Sequence, residues 1–334
     1  WNFPIAIPAW KIAPALAFGN SVLWKPSEHA SATADALMAI IAEAALPAGA
    51  VNMILGGRTA GAALVGAAGL GAISFTGSET TGAGVIRAAT ARGARVQAEM
   101  GGVNGLIVLA DSDLQAAAEG AINGAYFAAG QRCTATSRII VERSVATDFA
   151  RRLLERMAAL RVGDPRDRST QIGPLVSANK KASVLHAVST MAEAGRRPSA
   201  VGRGGGAPAC FVDPVLFENL EPGDLLLQEE IFGPVAGLIV VDGYEQALDT
   251  LNAVRFGLCG GIYTQSLSRA EHFKRNAQVG MAMVNLPTAG VDYHAPFGGQ
   301  KASSFGSREQ GRSAREFFTT TRTAYQFADE APAR

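Results

Sequence analysis

The sequence predicts an α/β protein in which parallel strands are joined by crossover helices, arranged as two successive units. Three observations carry this. Short apolar or β-branched runs alternate with longer helical stretches. Gly and Pro clusters punctuate the junctions. The length of 334 residues suits roughly two domains at about 150 residues each.

In chain order, strands are expected over 21–24, 51–55, 72–75 and 96–99, with helices over 31–45, 59–67 and 80–92 between them. Lys25-Pro26-Ser27 stops the first strand, and Pro47-Ala48-Gly49 closes the first of those helices. A second α/β set follows, with a helix over 113–129, a strand over 137–142 and helices over 147–160 and 178–193. The run 203–208 reads as a Gly-rich loop, 235–241 as a buried strand and 244–253 as a helix. The tail over 317–325 is rich in strand formers, which fits either an edge strand or one that crosses to a neighbouring subunit.

Composition excludes several classes. Thirty basic against 29 acidic side chains leave a net charge of +1, too little field to recruit nucleic acid. The 3 cysteines, Cys133, Cys210 and Cys259, are odd in number and widely spaced, which argues against a disulfide framework or a metal cage and for a reducing, cytoplasmic setting. The longest apolar stretch, 60–73, is shorter than the roughly 18 residues of a membrane span and is broken by glycines. The start, Trp1-Asn2-Phe3-Pro4, has no leader pattern and reads as an internal start.

Four segments could hold chemistry. Phe75-Thr76-Gly77-Ser78-Glu79-Thr80-Thr81-Gly82 lies between a strand and a helix, a tight turn or a pyrophosphate cradle. In Gly130-Gln131-Arg132-Cys133-Thr134 the cysteine is either a small buried hydrophobe or a nucleophile whose thiolate Arg132 favours. Glu99, ahead of Met100-Gly101-Gly102, is placed to act as a general base. Gln228-Glu229-Glu230-Ile231-Phe232-Gly233-Pro234, like Lys25, is by itself compatible with a solvated position. A cysteine–histidine protease is disfavoured, because His29, His186, His272 and His294 sit in no recognisable base motif.

Taken in order, Trp1-Asn2-Phe3-Pro4, Trp24-Lys25-Pro26-Ser27-Glu28, Phe75-Thr76-Gly77-Ser78, Glu99-Met100-Gly101-Gly102, Gly130-Gln131-Arg132-Cys133, Glu229-Glu230-Ile231-Phe232-Gly233-Pro234 and Pro296-Phe297-Gly298-Gly299 resemble the aldehyde dehydrogenase superfamily over essentially the whole chain. The resemblance implies a Rossmann-type cofactor domain, an α/β catalytic domain and NAD- or NADP-dependent oxidation of an aldehyde through a cysteine thioester. Cys133 would be the nucleophile, Asn2 and the Cys133 N–H the oxyanion donors, and Glu99 the base that activates water. The cofactor would lie on Trp1, Lys25, Ser27, Glu28, Gly57, Gly77, Ser78, Gly101, Glu230 and Phe232. No metal is implied.

The string from Asn285 to Gly299 is similar to the 2-oxoglutarate semialdehyde dehydrogenases, with succinate semialdehyde dehydrogenases close behind, so a small acidic semialdehyde is the expected substrate. Arg132 is a candidate for its distal carboxylate, with Phe3, Trp10, Thr134, Pro287 and Phe297 walling the tunnel. The alternative is that Arg132 lowers the cysteine pKa or pairs with a structural acid. The resemblance divides the chain into a partial cofactor domain (1–101), a catalytic domain (102–302) and a C-terminal segment with an oligomerisation strand (303–334). Family members carry a first sheet strand and an oligomerisation hairpin ahead of Trp1, so an N-terminally truncated chain is expected here, either part of an active oxidoreductase that forms a homo-oligomer when complete or, as the alternative, an inactive fragment.

Overall fold

The computed structural model describes residues 1–201 and 210–327, so the loop expected at 203–208 lies outside the described residues. Helix α1 (Ala6–Ala17) buries Pro8, Ile12 and Ala15 on one side; Pro8 falls in its first turn, where a missing N–H costs nothing. Strand β1 (Val22–Trp24) leads through a short turn into α2 (Ser31–Glu43), and β2 (Val51–Met53) pairs with β1 in parallel. Helix α3 (Arg58–Gly66) connects to β3 (Ala72–Thr76), and α4 (Glu79–Thr90) to β4 (Arg95–Glu99), which runs parallel to β3. No ladder joins the β1–β2 pair to β3–β4 among the described residues, so the four expected strands form two separate pairs.

The second half is built on one large sheet. Its strands are β5 (Asn104–Val108), β6 (Thr136–Glu142), β7 (Pro198–Val201), β8 (Val215–Phe217), β9 (Val235–Val241), β11 (Cys259–Tyr263) and β12 (Met281–Val284). They are ordered β12-β11-β5-β6-β9-β8-β7, with only β7 antiparallel to its neighbour. Helices α5 (Leu114–Tyr126), α6 (Arg143–Ala158) and α7 (Ala178–Glu193) cover one face, and the short α8 (Leu225–Gln228) joins them. Helices α9 (Tyr244–Asn252) and α10 (Leu267–Asn276) cover the other. Alternation along β5 makes this possible: Leu106 and Val108 enter the first core with Phe149 and Leu153, while Ile107 enters the second with Leu251 and Phe273.

Two further pairs form, of which the second joins the halves. The dipeptide strands β10 (Phe256–Gly257) and β13 (Gln300–Lys301) pair antiparallel, and β14 (Ser304–Phe305) adds to β4. Ser304, from the segment after residue 302, is therefore the register partner of Glu99. The chain then turns into α11 (Ala314–Phe318).

Several elements depart from expectation. The helix expected over 113–129 ends at Tyr126, and Ala128, Ala129 and Gly130 take left-handed conformations. The helix expected from 147 starts four residues earlier, at Arg143. The strand expected over 317–325 is not formed within the described residues: Phe317 is buried in α11 beneath the Arg95 guanidinium, 5.9 Å from its ring centre, Arg95 also donates to the Thr319 carbonyl, and 319–327 joins no ladder. A strand holds its shape through ladder bonds, and this segment has no ladder to join. No described helix is long and apolar enough to cross a membrane, and no described acid, His or Cys cluster could hold a metal.

Candidate active site

The C-terminal end of β4 meets the N-terminal ends of β5 and β6, and Cys133 lies at that junction in the loop before β6. Gly130 starts the loop at φ +66, and a Cβ there would fall 2.1 Å from the Gly233 carbonyl, so only glycine lets the two segments touch. Cys133 keeps some solvent access, yet the protein surrounding its thiol raises the pKa to about 12. Burial is the main cause, followed by the negative charges of Glu230 and Glu99; the N–H groups of Thr134 and Cys133 itself act in the opposite direction. Arg132 is not among those influences. Its Nη1 donates to Asn123 on α5 at 3.1 Å, so the expectation that it favours the thiolate is corrected.

Glu99 ends β4 almost wholly buried. Ser304 donates to its Oε2 at 2.5 Å, while its Oε1 has no partner among the described residues. Burial, then the charge of Glu309, raise its pKa to about 8 against the pull of Ser304, Lys11 and Arg308. Lys11 from α1 pairs with Glu309 and donates to Ser74 at 2.7 Å. Asn2 reaches the same junction, its Nδ2 donating to the Gln131 carbonyl at 3.0 Å, two residues before the cysteine.

The residues expected to meet the cofactor fall into two groups. At the strand ends of β1 and β2, Lys25 donates to the carbonyls of Pro26 (2.7 Å) and Gly56 (2.9 Å), Ser27 caps the turn at Glu28, and a Cβ on Gly57 would sit 3.5 Å from the Glu28 carboxylate. Gly57 opens α3 with no side-chain cap, and Ser78, after Gly77, caps α4. Nearer the thiol, Glu230 accepts from Gly102 N–H at 3.1 Å and presses so closely on Gly101 that a Cβ there would lie 2.0 Å from its Oε2. Burial raises Glu230 to about 7. The Phe232 ring meets Trp1 edge-on at 5.5 Å.

Of the expected tunnel residues, Trp10 and Phe297 stack at 5.8 Å and Thr134 is buried. Phe3 is exposed and Pro287 half-buried, and no ring contact joins Phe3 to Trp10 or Phe297 among the described residues. Sequence reasoning missed Lys11, whose charge is alone in the apolar stretch of α1 and was a usable signal. It also missed Arg255, which bridges Glu79 on α4 and Glu229 beside Glu230. Asn104 and Thr288 escaped it too; they bind backbone near Cys133 and leave no motif.

The model of the aldehyde dehydrogenase family matches residues 1–324. The alpha-ketoglutaric semialdehyde dehydrogenase of Bacillus subtilis is 42% identical over 97% of this chain and 68% of its own length. A betaine aldehyde dehydrogenase of Cereibacter sphaeroides is 38% identical over 97% and 67%. Among solved structures, the methylmalonate-semialdehyde dehydrogenase of Oceanimonas doudoroffii superposes with a TM-score of 0.95 at 30% identity, covering 99% of this chain and 69% of that one. An indole-3-acetaldehyde dehydrogenase solved with NAD+ gives 0.91 at 35%, covering 96% and 65%. This chain thus spans about two thirds of the length of its relatives, and with all but its last residues matched it belongs to the aldehyde dehydrogenase family.

Proposed function

We propose that this chain houses the machinery for NAD(P)-dependent oxidation of an aldehyde to a carboxylic acid, with 2-oxoglutarate semialdehyde as the substrate. The observation that carries the reading is the convergence of the Cys133 thiol, the unpartnered Glu99 Oε1 and the Asn2 amide at one strand junction.

The residues present fit a dinucleotide. The uncapped N-terminus of α3 offers N–H groups to a phosphate. Glu28 and Glu230 are carboxylate acceptors for ribose hydroxyls, and Trp1 with Phe232 forms an aromatic wall beside Glu230. A dinucleotide held by these residues would supply the hydride acceptor.

Cys133 Sγ gives its proton to a carboxylate and bonds to the aldehyde carbon. The oxyanion formed is held by the Cys133 N–H and the Asn2 amide. Loss of hydride leaves the acyl group on Sγ as a thioester. Glu99 then takes a proton from water, the hydroxide attacks the thioester carbon, the C–S bond breaks, and the carboxylic acid leaves. A pKa of about 8 gives Glu99 both forms in the working range.

Substrate choice rests on Arg132. It is partly buried, and among the described residues it pairs with no acid and its Nε has no partner. A buried guanidinium in that state is matched by a carboxylate on the far end of the aldehyde. The same charge disfavours a cationic substrate such as a quaternary ammonium aldehyde. Succinate semialdehyde is the second reading, since it offers the same carboxylate. A homo-oligomer and a reducing, cytoplasmic setting complete the proposal, the latter supported by three free cysteines.

The test follows NADH and NADPH formation with 2-oxoglutarate semialdehyde, succinate semialdehyde, betaine aldehyde and a neutral aldehyde. The acidic semialdehydes are expected to lead, Cys133→Ala to abolish turnover, and Arg132→Ala to erase the preference for acidic over neutral substrates. No turnover with any aldehyde, in this chain and in one extended to the length of its relatives, overturns the reading. An undiminished preference in Arg132→Ala overturns the role of Arg132.

A further inference from the structure

The nucleophile loop has every carbonyl from residue 131 to 135 occupied. Asn2 donates to Gln131 O at 3.0 Å, and the Ala135 N–H donates to Arg132 O at 3.0 Å. The Asn104 amide donates to Cys133 O at 2.8 Å and to Ala135 O at 2.9 Å. Thr288 donates to Thr134 O at 2.7 Å. Asn104 is almost fully buried at the first position of β5, beside the register shift between β5 and β6, and its Oδ1 accepts from Cys259 N–H at 3.0 Å, so the whole amide is committed. Thr288 is fully buried. Its single O–H is spent on Thr134 O, so in the 2.7 Å contact between the two hydroxyls Thr136 is the donor.

A peptide is planar, so fixing a carbonyl also fixes the N–H across the same bond. Holding Cys133 C=O aims the Thr134 N–H. Holding Thr134 C=O aims the Ala135 N–H at Arg132 C=O, which in turn aims the Cys133 N–H. Both of those N–H groups act on the thiol, where they favour its ionised form. The other groups acting on it are Glu230 after α8 and Glu99 at the end of β4, while Cys133 in turn raises the pKa of the buried Cys259 in β11.

We infer that Asn104 and Thr288 are positioning residues for the nucleophile: by holding the carbonyls of 133, 134 and 135 they aim the Thr134 and Cys133 N–H groups at the sulfur and at the oxyanion formed on attack. The oxyanion half rests on the aldehyde-oxidation reading; the thiol half does not.

The experiment alkylates the chain with iodoacetamide between about pH 7 and 10 and follows the Cys133 peptide by mass spectrometry, with thermal melts alongside. Asn104→Ala and Thr288→Val are expected to slow Cys133 alkylation about tenfold at each pH, equivalent to one pKa unit. Thr288→Ser, which keeps the hydroxyl, is expected to react like the wild type. Variants that melt lower yet alkylate at the wild-type rate would reduce both residues to structural supports and overturn the inference. If Asn104→Ala does not fold, the Thr288 pair decides the matter alone. A wild-type chain that shows this dependence but, extended to family length, oxidises no aldehyde removes the proposed function and leaves the positioning role standing. Aldehyde oxidation with unchanged alkylation in the folded variants removes the positioning role alone.

Discussion

Glu99 carries opposed demands at the scale of a single residue. Burial leaves it a neutral acid below about pH 8, whereas water activation needs the carboxylate. Thioester hydrolysis should therefore rise with pH and level off above about 8, and Glu99→Gln should slow it roughly 10²- to 10⁴-fold while the acyl group accumulates on Cys133. Stability runs the other way. Because the folded pKa lies above the ordinary 4.5, the native state holds a proton that the unfolded chain has lost. Between about pH 4.5 and 8 this group costs stability as pH rises, at most about 1.4 kcal/mol per unit. Glu99→Gln should then melt above the wild type at pH 9 and alongside it at pH 4. Equal melting at both would show that Glu99 is not desolvated as the geometry requires. Cys133 and Glu99, the proposed nucleophile and base, were legible in the sequence because each sits in a motif that carries the family resemblance. Asn104 and Thr288 were not, because they act on carbonyl groups that every residue carries.

At the level of elements, the site depends on loops meeting without side chains between them. Gly101 gives Glu230 its place: a Cβ there would overlap the carboxylate at 2.0 Å. Gly101→Ala should push Glu230 away from the Gly102 N–H and raise the KM for the dinucleotide several-fold, with a smaller change in the aldehyde KM; unchanged cofactor KM would separate Glu230 from cofactor binding. Arg255 makes a longer-range link by joining the first turn of α4 to Glu229 beside Glu230. Its partners are substantially exposed, so salt should screen it. Arg255→Ala should accordingly flatten the ionic-strength dependence of cofactor KM. The elements easiest to read beforehand were α7 and β9, whose bounds match residue for residue; α7 opens with a Ser177 cap and β9 is a continuous apolar run. Strand β11, Cys-Gly-Gly-Ile-Tyr, gave no such signal, because its glycines are required by Leu106, Leu251 and other neighbours that press on the backbone.

The whole molecule turns on what the tail does. The expected strand at 317–325 does not form within the chain, and the reason is the absence of a ladder partner rather than a lack of strand-forming residues. Tyr325 and Phe327 are 96% and 89% exposed on a Thr-rich stretch that joins no ladder among the described residues, while β3 stands at the edge of its sheet and β12 and β7 at the edges of theirs. Exposed aromatics cost free energy in water, and docking on a sheet edge of a second copy buries them while giving the solvated backbone a ladder to join. Burying each aromatic would contribute about 1.5–3 kcal/mol. The double variant Tyr325→Ser, Phe327→Ser should therefore weaken self-association at least about tenfold in sedimentation equilibrium, with Cys133 alkylation unchanged because the tail lies on no element that contacts the nucleophile loop. A proline at Thr323, which would remove a ladder N–H, should act in the same direction. If both variants associate as the wild type does, the tail plays no part in assembly.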